Sequence, residues 1–336
     1  MIETLVVNQA EVPRLLPMKE CIEVMARTFA ALARGEATMP QRQIVWLPDR
    51  TGALGVMPAQ LTGLGVLGLK AVSFFPRNEG TELDSHQGAV LLFEGGRGRL
   101  LAVIDATSVT AVRTAAVTAL ATRLLAREDA GDLALVGSGV QARTHLEALL
   151  LVRKIRRVRV ASKTPDRARS FAERESKRHG VGITPCASAR EAVEGADIVC
   201  TLTSSREPVV RGEWLAPGAH VNAVGSSVAS ARELDAAAVS RARLFVDRRE
   251  AALAEAGDFL LARSEGAVTD AHILAELGEV VIGSAPGRTS PSELTLFKSV
   301  GLAIEDVAAA QHIHGKARGS GFGRFLELGG GRHEAD

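Results

Sequence analysis

A short glycine-rich stretch is the part of this sequence whose residue types and spacing point most directly to chemistry. Residues 137–142, GSGVQA, follow the apolar run LALV and open a segment with helical character. In such a turn Gly137 permits the tight reversal, Gly139 lets the backbone approach a pyrophosphate, and Ala142 keeps helix and sheet close. The helix N-terminus adds free N–H groups and a favourable dipole for an anion. The motif in this context predicts dinucleotide binding, with a purely structural glycine turn as the alternative.

The end of the following strand indicates which dinucleotide would bind. An acid that holds the ribose 2′-hydroxyl of NAD is expected about twenty residues after the glycines. This sequence instead has Ser162, Lys163 and Thr164 there, and Arg167 lies one helical step further. Hydroxyls and cations suit a 2′-phosphate, which an aspartate would repel. We therefore expect NADPH, with NADH less favoured; the alternative is that Lys163 and Arg167 are ordinary surface charges.

Three cations in apolar or strand-like surroundings are candidates for holding a substrate. Arg42 lies in MPQRQIVW, Lys70 in LGLKAVSFF and Arg113 in TAVRTAAVTAL, where few polar partners are near in sequence. A buried cation needs a counter-ion, and a substrate carboxylate would serve. The alternative for each is a long side chain that reaches solvent. His86 in DSHQG is a further candidate as acid, base or phosphate contact, although a loop histidine is the commoner case.

Two kinds of sequence pattern surround these candidates and predict how they are positioned. Residues 17–34 repeat apolar positions at helical spacing, and Ile22, Met25, Phe29 and Leu32 share one face. Several strand-like runs follow without intervening helices, which predicts an antiparallel or mixed sheet, and residues 108–127 form an alanine-rich helix.

From Asp132 onward strands and helices alternate, which predicts βαβ crossovers and a parallel sheet. Helices are predicted over residues 249–262, 272–281 and 295–317, and residues 319–336 are expected to fray. The predicted fold is α/β: a Rossmann-type doubly wound sheet plus a mixed-sheet substrate and dimerisation domain.

Composition narrows the class of protein. The 336 residues are 46% hydrophobic and 24% charged, and the formal net charge is +1, so no overall field favours nucleic acid or anionic lipid. The three cysteines are far apart and show no metal-ligand spacing. The sequence starts without a signal-peptide pattern and contains no apolar run of about 18 residues. We expect a cytoplasmic protein with no metal, no membrane and no nucleic-acid partner.

Many further segments resemble one known family. They lie between about Arg42 and about Ala310 and read SHQGAVLLFE, LLAVIDATSVTAVRTAAVTALAT, VGSGVQA, GEWLAPGAHVNAVGSS, RELD, VDRREAALAEAGD, LAELGEVVIG and LFKSVGLAIEDVAAA. The sequence resembles the ornithine cyclodeaminase/mu-crystallin family, and within it the mu-crystallin-like ketimine reductases. The resemblance implies a homodimer in which residues 1–115 with 303–336 form the substrate-binding and dimerisation domain. Residues 116–302 would form the Rossmann domain, and the last helix would pack back on the first domain.

The resemblance also implies roles for individual residues. Arg42, Lys70 and Arg113 align with the ligands of the substrate carboxylate, and Glu255 aligns with a pocket carboxylate of the ketimine-reductase branch, although a helix-surface acid is its alternative. The motif and the resemblance together propose cofactor contacts at Ser85, His86, Arg113, Gly137, Ser138, Gly139, Val140, Gln141, Ala142, Ser162, Lys163, Thr164, Arg167, Thr201, Val224, Gly225 and Ser299.

Two departures from the family's pattern disfavour ornithine cyclisation. Ornithine cyclodeaminases resemble this chain around Gly225 but carry an aspartate where Ser227 stands, and they carry a glutamate where Gly55 stands. A serine and a glycine cannot replace two carboxylates in proton transfer. Ser227 therefore remains a candidate for binding substrate rather than for acting as a base.

These observations favour NADPH-dependent reduction of the C=N bond of an α-imino acid. The expected substrates are cyclic ketimines, Δ1-piperideine-2-carboxylate or Δ1-pyrroline-2-carboxylate, which would give an L-amino acid. Arg42, Lys70 and Arg113 would hold the carboxylate, and Lys70 or a bound water would supply the proton. The alternatives are an alanine dehydrogenase-like enzyme acting on an α-keto acid and ammonia, a reductase of acyclic imines, and a non-catalytic protein that binds NADPH and a small carboxylate.

Overall fold

The chain divides into two compact units, each built on its own eight-stranded sheet. The computed structural model describes residues 3–78 and 80–331. The first unit contains the residues up to Arg113 together with those from Leu302 onward, and the second unit is Thr114–Gly301. The predicted α/β class, with one parallel and one mixed sheet, is confirmed. The functions that the sequence assigned to the two parts stay predictions.

The first unit has a mixed sheet in the strand order β16-β1-β7-β6-β5-β4-β2, with β3 also paired to β4. Its elements are β1 (Glu3–Val7), α1 (Val12–Leu15), α2 (Met18–Ala33), β2 (Ala37–Thr38), β3 (Gln43–Trp46), β4 (Ala53–Leu61), β5 (Val66–Phe74), β6 (His86–Glu94), β7 (Leu100–Asp105), α11 (Ala303–Ala317) and β16 (Arg324–Glu327), and the boundary falls within α3 (Ala106–Leu125). Strands β1 and β7 are parallel, and the other neighbours are antiparallel.

Helix α11 covers the first unit's sheet, and α2 packs against α11. Helix α11 packs against β4, β5, β6 and α2. The four apolar positions predicted to share one face of α2, from Ile22 to Leu32, are all buried. Because α11 lies on the sheet, polar side chains on its buried face must find partners among strand and helix residues of this unit.

The second unit has a wholly parallel sheet in the order β10-β9-β8-β11-β12-β15-β13-β14. Its elements are β8 (Asp132–Val136), α4 (Val140–Val152), β9 (Arg157–Ala161), α5 (Pro165–His179), β10 (Ile183–Pro185), α6 (Ala189–Val193), β11 (Ile198–Thr201), β12 (His220–Ala223), α7 (Ala236–Arg241), β13 (Arg243–Val246), α8 (Arg249–Glu255), α9 (Gly257–Ser264), β14 (Ile273–Glu276), α10 (Leu277–Val281) and β15 (Thr295–Lys298). Strands β9 and β10 lie on one side of β8 and β11 on the other. The strand order therefore reverses between β8 and β11, which is where doubly wound sheets bind ligands.

The single helix predicted over residues 295–317 is wrong. The structure divides this range into β15, which lies between β12 and β13, and α11. All four residues of β15 are buried, and Gly301 with φ +77° turns the chain between the two elements. A short apolar run buried on both faces lacks the periodicity that separates strand from helix.

Two further helix predictions are wrong in part. The range 272–281 begins with β14, in which buried and exposed residues alternate, and only then continues as α10. The helix predicted over residues 249–262 is interrupted at Ala256, whose ψ of 85° is not helical. A Cβ on the next residue, Gly257, would lie 1.9 Å from the carbonyl oxygen of Ala231, so close backbone contact dictates this break.

The expectation that residues 319–336 fray is wrong for part of this range. Strand β16 pairs antiparallel with β1 and so covers an edge whose backbone groups would otherwise lack partners. Residues 332–336 of the predicted range lie outside the described residues. Within residues 3–78 and 80–331, no helix has both the length and the apolar character to cross a membrane.

Candidate active site

The glycine-rich turn lies between β8 and α4, as its motif requires. Gly137 has φ +119°, and a Cβ there would lie 2.6 Å from the carbonyl oxygen of Leu202, so no other residue fits without rearrangement. A Cβ on Gly139 would meet no atom of the described chain within 4 Å, which leaves open space before the helix. No side-chain oxygen caps α4 in the part of the chain described, and Ala142 is fully buried. Free N–H groups beside open space fit a bound pyrophosphate.

The candidates for the adenosine ribose lie next to this turn. The hydroxyl of Ser138 donates to the hydroxyl of Ser162 at 3.0 Å, which joins the turn to the end of β9. Lys163, Thr164 and Arg167 are exposed around the start of α5. This set supplies hydroxyls and positive charge at a helix N-terminus, a combination that suits a phosphate.

The other cofactor candidates of the second unit lie at the same edge of the parallel sheet. Thr201 is the last residue of β11, Val224 and Gly225 follow β12, and Ser299 follows β15. The backbone N–H groups of Val224 and Gly225 both donate to the carbonyl oxygen of Thr201, at 3.1 and 3.2 Å. Val140 and Gln141 form the first turn of α4. The structure therefore brings these residues to the carboxyl ends of the strands, where a doubly wound sheet binds dinucleotides.

The first unit contains a buried charge cluster formed by Lys70, Arg113, Glu305 and Asp306. Lys70 Nζ lies 2.9 Å from Asp306 Oδ2 and donates to the hydroxyl of Thr110 at 3.3 Å. The guanidinium of Arg113 donates to Asp306 Oδ1 at 3.1 Å and to Glu305 Oε2 at 2.6 Å. All four charged side chains are at least 95% buried. The cluster joins β5, α3 and α11.

The counter-ions of the buried cations differ from the one that the sequence predicts. Arg113 was expected to have few polar partners, with a substrate carboxylate as the counter-ion of the buried cations; the protein instead supplies two counter-ions of its own. Sequence reasoning missed Glu305 and Asp306. The available signal was a pair of adjacent acids in LAIEDVAAA, an otherwise apolar segment, which is unusual for a helix covered on one face.

Burial and neighbouring charges shift the pKa values of the cations in this cluster. Burial lowers the pKa of Lys70 to about 8, Asp306 opposes this shift, and the charges of Arg113 and Arg42 add to it. Burial alone would also lower the pKa of Arg113, but Asp306 and Glu305 raise it. Arg42, just before β3, is half-buried. The cations of this region therefore disfavour one another's charged forms, and a substrate carboxylate beside them would favour those forms.

His86 and Ser85 lie where β6 begins. His86 is the first residue of this strand, opposite Phe74 of β5, rather than a residue of a free loop. Its ring centroid is 4.6 Å from that of Phe74, and its Nδ1 lies 3.1 Å from the hydroxyl of Ser85. Surrounding protein atoms and the charge of Lys70 lower the pKa of His86. The neutral ring is therefore the prevailing form at neutral pH.

The remaining candidates are placed as follows. Ser227 is half-buried in the segment after β12, and Glu255 is half-buried as the last residue of α8. Gly55 lies in β4 opposite Val72 of β5, and a Cβ there would have an ordinary contact at 3.7 Å. Space for a Cβ therefore does not require a glycine at this position. Among the described residues, no three His, Cys, Asp or Glu side chains converge as a metal site.

Comparison with known proteins identifies the family. The model of the ornithine cyclodeaminase/mu-crystallin family matches residues 2–321. The chain belongs to this family. Among its relatives, the ketimine reductase mu-crystallin of Mus musculus is 41% identical over 293 residues, which cover 87% of this chain and 90% of that protein.

Solved structures agree with this family assignment. The Δ1-pyrroline-2-carboxylate reductase of Thermococcus litoralis, in complex with NADH and L-proline, is similar with a TM-score of 0.93 and 41% identity, and covers 96% of this chain and 99% of that chain. An archaeal alanine dehydrogenase dimer with bound NAD is similar with a TM-score of 0.91 and 34% identity, over 97% of this chain and 99% of that chain. The family resemblance seen in the sequence is confirmed, and two of these three proteins are named as reductases of a C=N bond.

Proposed function

We propose that this protein reduces the C=N bond of a cyclic α-imino acid, Δ1-piperideine-2-carboxylate or Δ1-pyrroline-2-carboxylate, to an L-amino acid. The observation that carries this proposal is the grouping of cations in the first unit: Lys70 and Arg113 lie in one buried cluster, and the charge of Arg42 acts on Lys70. A carboxylate is the ligand that such cations bind through charge-assisted hydrogen bonds. The family relatives named as ketimine and pyrroline-2-carboxylate reductases support the same reaction.

In this proposal each cation of the first unit has its own role. Arg113, held by Glu305 and Asp306 with its fork in one orientation, binds the substrate carboxylate, and Arg42 adds a second cation. Lys70 also faces the carboxylate, and below pH 8 its ammonium group can donate the proton that the product nitrogen requires. The bound nicotinamide supplies the hydride. Ser227 and Glu255 would contact the substrate, whereas Ser85 and His86 would contact the cofactor.

We propose NADPH as the preferred cofactor. The two similar structures contain NADH and NAD, so the relatives support the coarser statement, a nicotinamide dinucleotide. The preference for a 2′-phosphate depends on Ser162, Lys163, Thr164 and Arg167 around the start of α5. Each charge-assisted hydrogen bond to such a phosphate contributes about 1.5–3 kcal/mol.

The experiment that tests the reaction is the loss of NADPH absorbance with each cyclic ketimine, with NADH in parallel. Turnover that depends on the imine supports the proposal. Turnover with pyruvate and ammonia but with neither cyclic imine would identify an alanine dehydrogenase-like enzyme instead, and turnover with acyclic imines alone would identify the acyclic reductase. Binding of NADPH without turnover of any of these substrates would identify a binding protein.

A pair of lysine variants tests the cofactor preference. Lys163→Ala is expected to lower kcat/KM for NADPH by about tenfold or more, the equivalent of one charge-assisted bond, and to leave kcat/KM for NADH unchanged. Lys177→Ala is the matched control, because Lys177 is exposed on α5 and pairs with Glu173. Equal effects of Lys163→Ala on both cofactors would reject the 2′-phosphate contact.

We also propose a homodimer formed through the first unit. Strands β3, β4 and β5 carry exposed apolar side chains, of which Ile44, Val45, Leu54 and Leu67 are 40–67% exposed. Apolar side chains grouped on a sheet are typical of an interface. Light scattering should therefore give twice the mass of the chain, and Val45→Asp should shift the protein towards the monomer. A cytoplasmic location is part of the proposal, because all three cysteines are free and buried.

A further inference from the structure

A second buried charge network lies in the second unit, apart from the cations of the first unit. It consists of Glu233, Asp258 and Lys298, each at most 1% exposed. Two carboxylates and one ammonium group fully removed from water are expensive to bury, and such groups persist where their hydrogen bonds specify a conformation. None of the three is among the site residues that the sequence predicts.

The carboxylate of Glu233 holds two segments that leave neighbouring strands of the sheet. Its Oε1 accepts from the backbone N–H of Thr203 at 2.6 Å and from the hydroxyl of Thr203 at 2.7 Å. Its Oε2 accepts from the backbone N–H of Gly225 at 2.8 Å. Thr203 lies two residues beyond β11, and Gly225 lies two residues beyond β12. One side chain therefore ties together two chain segments at the edge of the sheet where the cofactor candidates Thr201, Val224 and Gly225 lie.

Gly225 shows independently how closely this arrangement is packed. A Cβ at this position would lie 2.1 Å from the carbonyl oxygen of Thr203 and 2.6 Å from Glu233 Oε1. The first contact would require the backbone to move, and the second would require the side chain of Glu233 to move. Close packing between Gly225 and Glu233 therefore fixes the backbone near the start of the segment from Val224 to Ser227.

Glu233 is itself fixed by the rest of the network. Asp258 Oδ1 accepts from the backbone N–H groups of Glu233 and Leu234 at 2.7 and 2.8 Å. Asp258 Oδ2 lies 3.0 Å from Lys298 Nζ, which donates to the carbonyl oxygen of Ala223 at 3.2 Å. Ala223 ends β12, so the network leads from this strand through α9 and back to the residues that follow the same strand.

An ionised carboxylate accepts from all these donors. Both oxygens of Glu233 face N–H or O–H donors, and a carboxylate can accept at both. A glutamine would place its NH₂ group against the N–H of either Thr203 or Gly225, so it could accept on one side only. The N–H of Gly225 would keep the carbonyl oxygen of Thr201 as an acceptor but would lose its shorter bond to Glu233. A carboxylate therefore fits this position better than an amide does, although burial and the charge of Asp258 raise the pKa of Glu233.

We propose that Glu233 is a positioning residue that holds the segment from Val224 to Ser227 in the conformation that the nicotinamide and the imine require. The inference rests on the proposed function, because the roles of Val224, Gly225 and Ser227 are part of it. Glu233 touches neither substrate nor cofactor in this proposal; it acts through the backbone of Gly225. The pyrophosphate and the adenosine end are held elsewhere, by the turn at residues 137–142 and by the residues around α5.

The test compares Glu233→Gln with wild type in the full chain. The variant should lower kcat for the cyclic ketimine by about 10-fold to 100-fold, the loss expected from a displacement of about 1 Å. The Kd for NADPH should change less than about threefold, with one cofactor bound per chain. The fluorescence emission of the bound nicotinamide should shift, because the ring reports its own surroundings. Glu265→Gln is the matched control, since Glu265 makes an exposed ion pair with Arg232 beside Glu233.

A milder variant separates positioning from folding. Thr203→Val removes one of the three hydrogen bonds to Glu233 and should lower kcat by a smaller factor. The double variant should be no slower than Glu233→Gln alone, because both changes act on one network. Wild-type kcat and emission in Glu233→Gln would overturn the inference, as would a loss of kcat that only follows a loss of binding stoichiometry. If wild type reduces no imine, the proposed function fails, and the emission of bound NADPH still decides the inference.

Discussion

Replacing Asp306 by asparagine should move the pH at which the enzyme loses activity. Asp306 is fully buried, and its carboxylate lies 2.9 Å from Lys70 Nζ and accepts from Arg113 at 3.1 Å. It is the carboxylate that favours the charged form of Lys70 against burial and against the nearby cations. Without it, the ammonium group would face Arg113 and Arg42 with no adjacent negative charge, so its pKa must fall.

The size of the change follows from the geometry. A unit charge at about 4 Å contributes about 4 kcal/mol at an effective dielectric constant of about 20, which corresponds to about three pKa units. Water entry and the remaining amide oxygen reduce this figure, so we expect a fall of at least about one unit. The pKa of Lys70 would then drop from about 8 to about 7 or lower.

The assay is kcat/KM for the cyclic ketimine between about pH 6 and pH 9. A lysine carries its charge below its pKa, so activity that needs the ammonium group is present at low pH and is lost as pH rises through that pKa. Wild type should lose activity above about pH 8, and Asp306→Asn at least about one pH unit earlier. Because the substrate also titrates, only the difference between the two proteins is interpreted.

Glu305→Gln is the matched control. Glu305 pairs with Arg113, whose pKa is raised far above the range of the assay. This variant should therefore lose activity at the same alkaline pH as wild type. Both variants break a buried ion pair and should lower the free energy of unfolding by about 3–5 kcal/mol. If kcat/KM falls at the same pH in wild type and Asp306→Asn, the role of Asp306 is refuted. Equal shifts of this pH in both variants would also refute it.

Three further results are expected. Gly137→Ala should abolish NADPH binding measured by fluorescence titration, because its φ of +119° suits glycine, whereas Gly182→Ala, which meets no atom within 4 Å, should bind normally. Arg153→Met should lower the thermal midpoint by several degrees at an unchanged KM, because Arg153 donates to four carbonyl oxygens near the end of α3. The loss of these hydrogen bonds should lower the free energy of unfolding by about 1–3 kcal/mol. An unchanged midpoint would contradict this role. Ornithine without added reductant should yield no ammonia, because Ser227 and Gly55 offer no carboxylate, and release at the rate of ketimine reduction would contradict the assignment.

Predictions from local patterns were correct where the residues that determine the conformation of an element lie within one segment of the sequence. The helical segment predicted after the glycine turn is present as α4, because a strand, a tight turn and a helix follow one another there. The same holds for the buried face of α2. Predictions were wrong where a short apolar run such as β15 is buried on both faces, since its neighbours in the sheet decide its conformation.

Three features can be read from the residues alone: a glycine turn typical of dinucleotide binding, a strand end with serine, lysine and threonine, and cations in apolar surroundings. The partners of those cations depend on the fold. Arg113 meets Glu305 and Asp306 across 192 and 193 residues of sequence, and Glu233 reaches Gly225 after a reversal of the chain. An unpaired charge is costly only when it is buried, so charge pairing depends on which side chains the fold buries together. The spacing of residues along the sequence does not show which carboxylate will lie beside which cation.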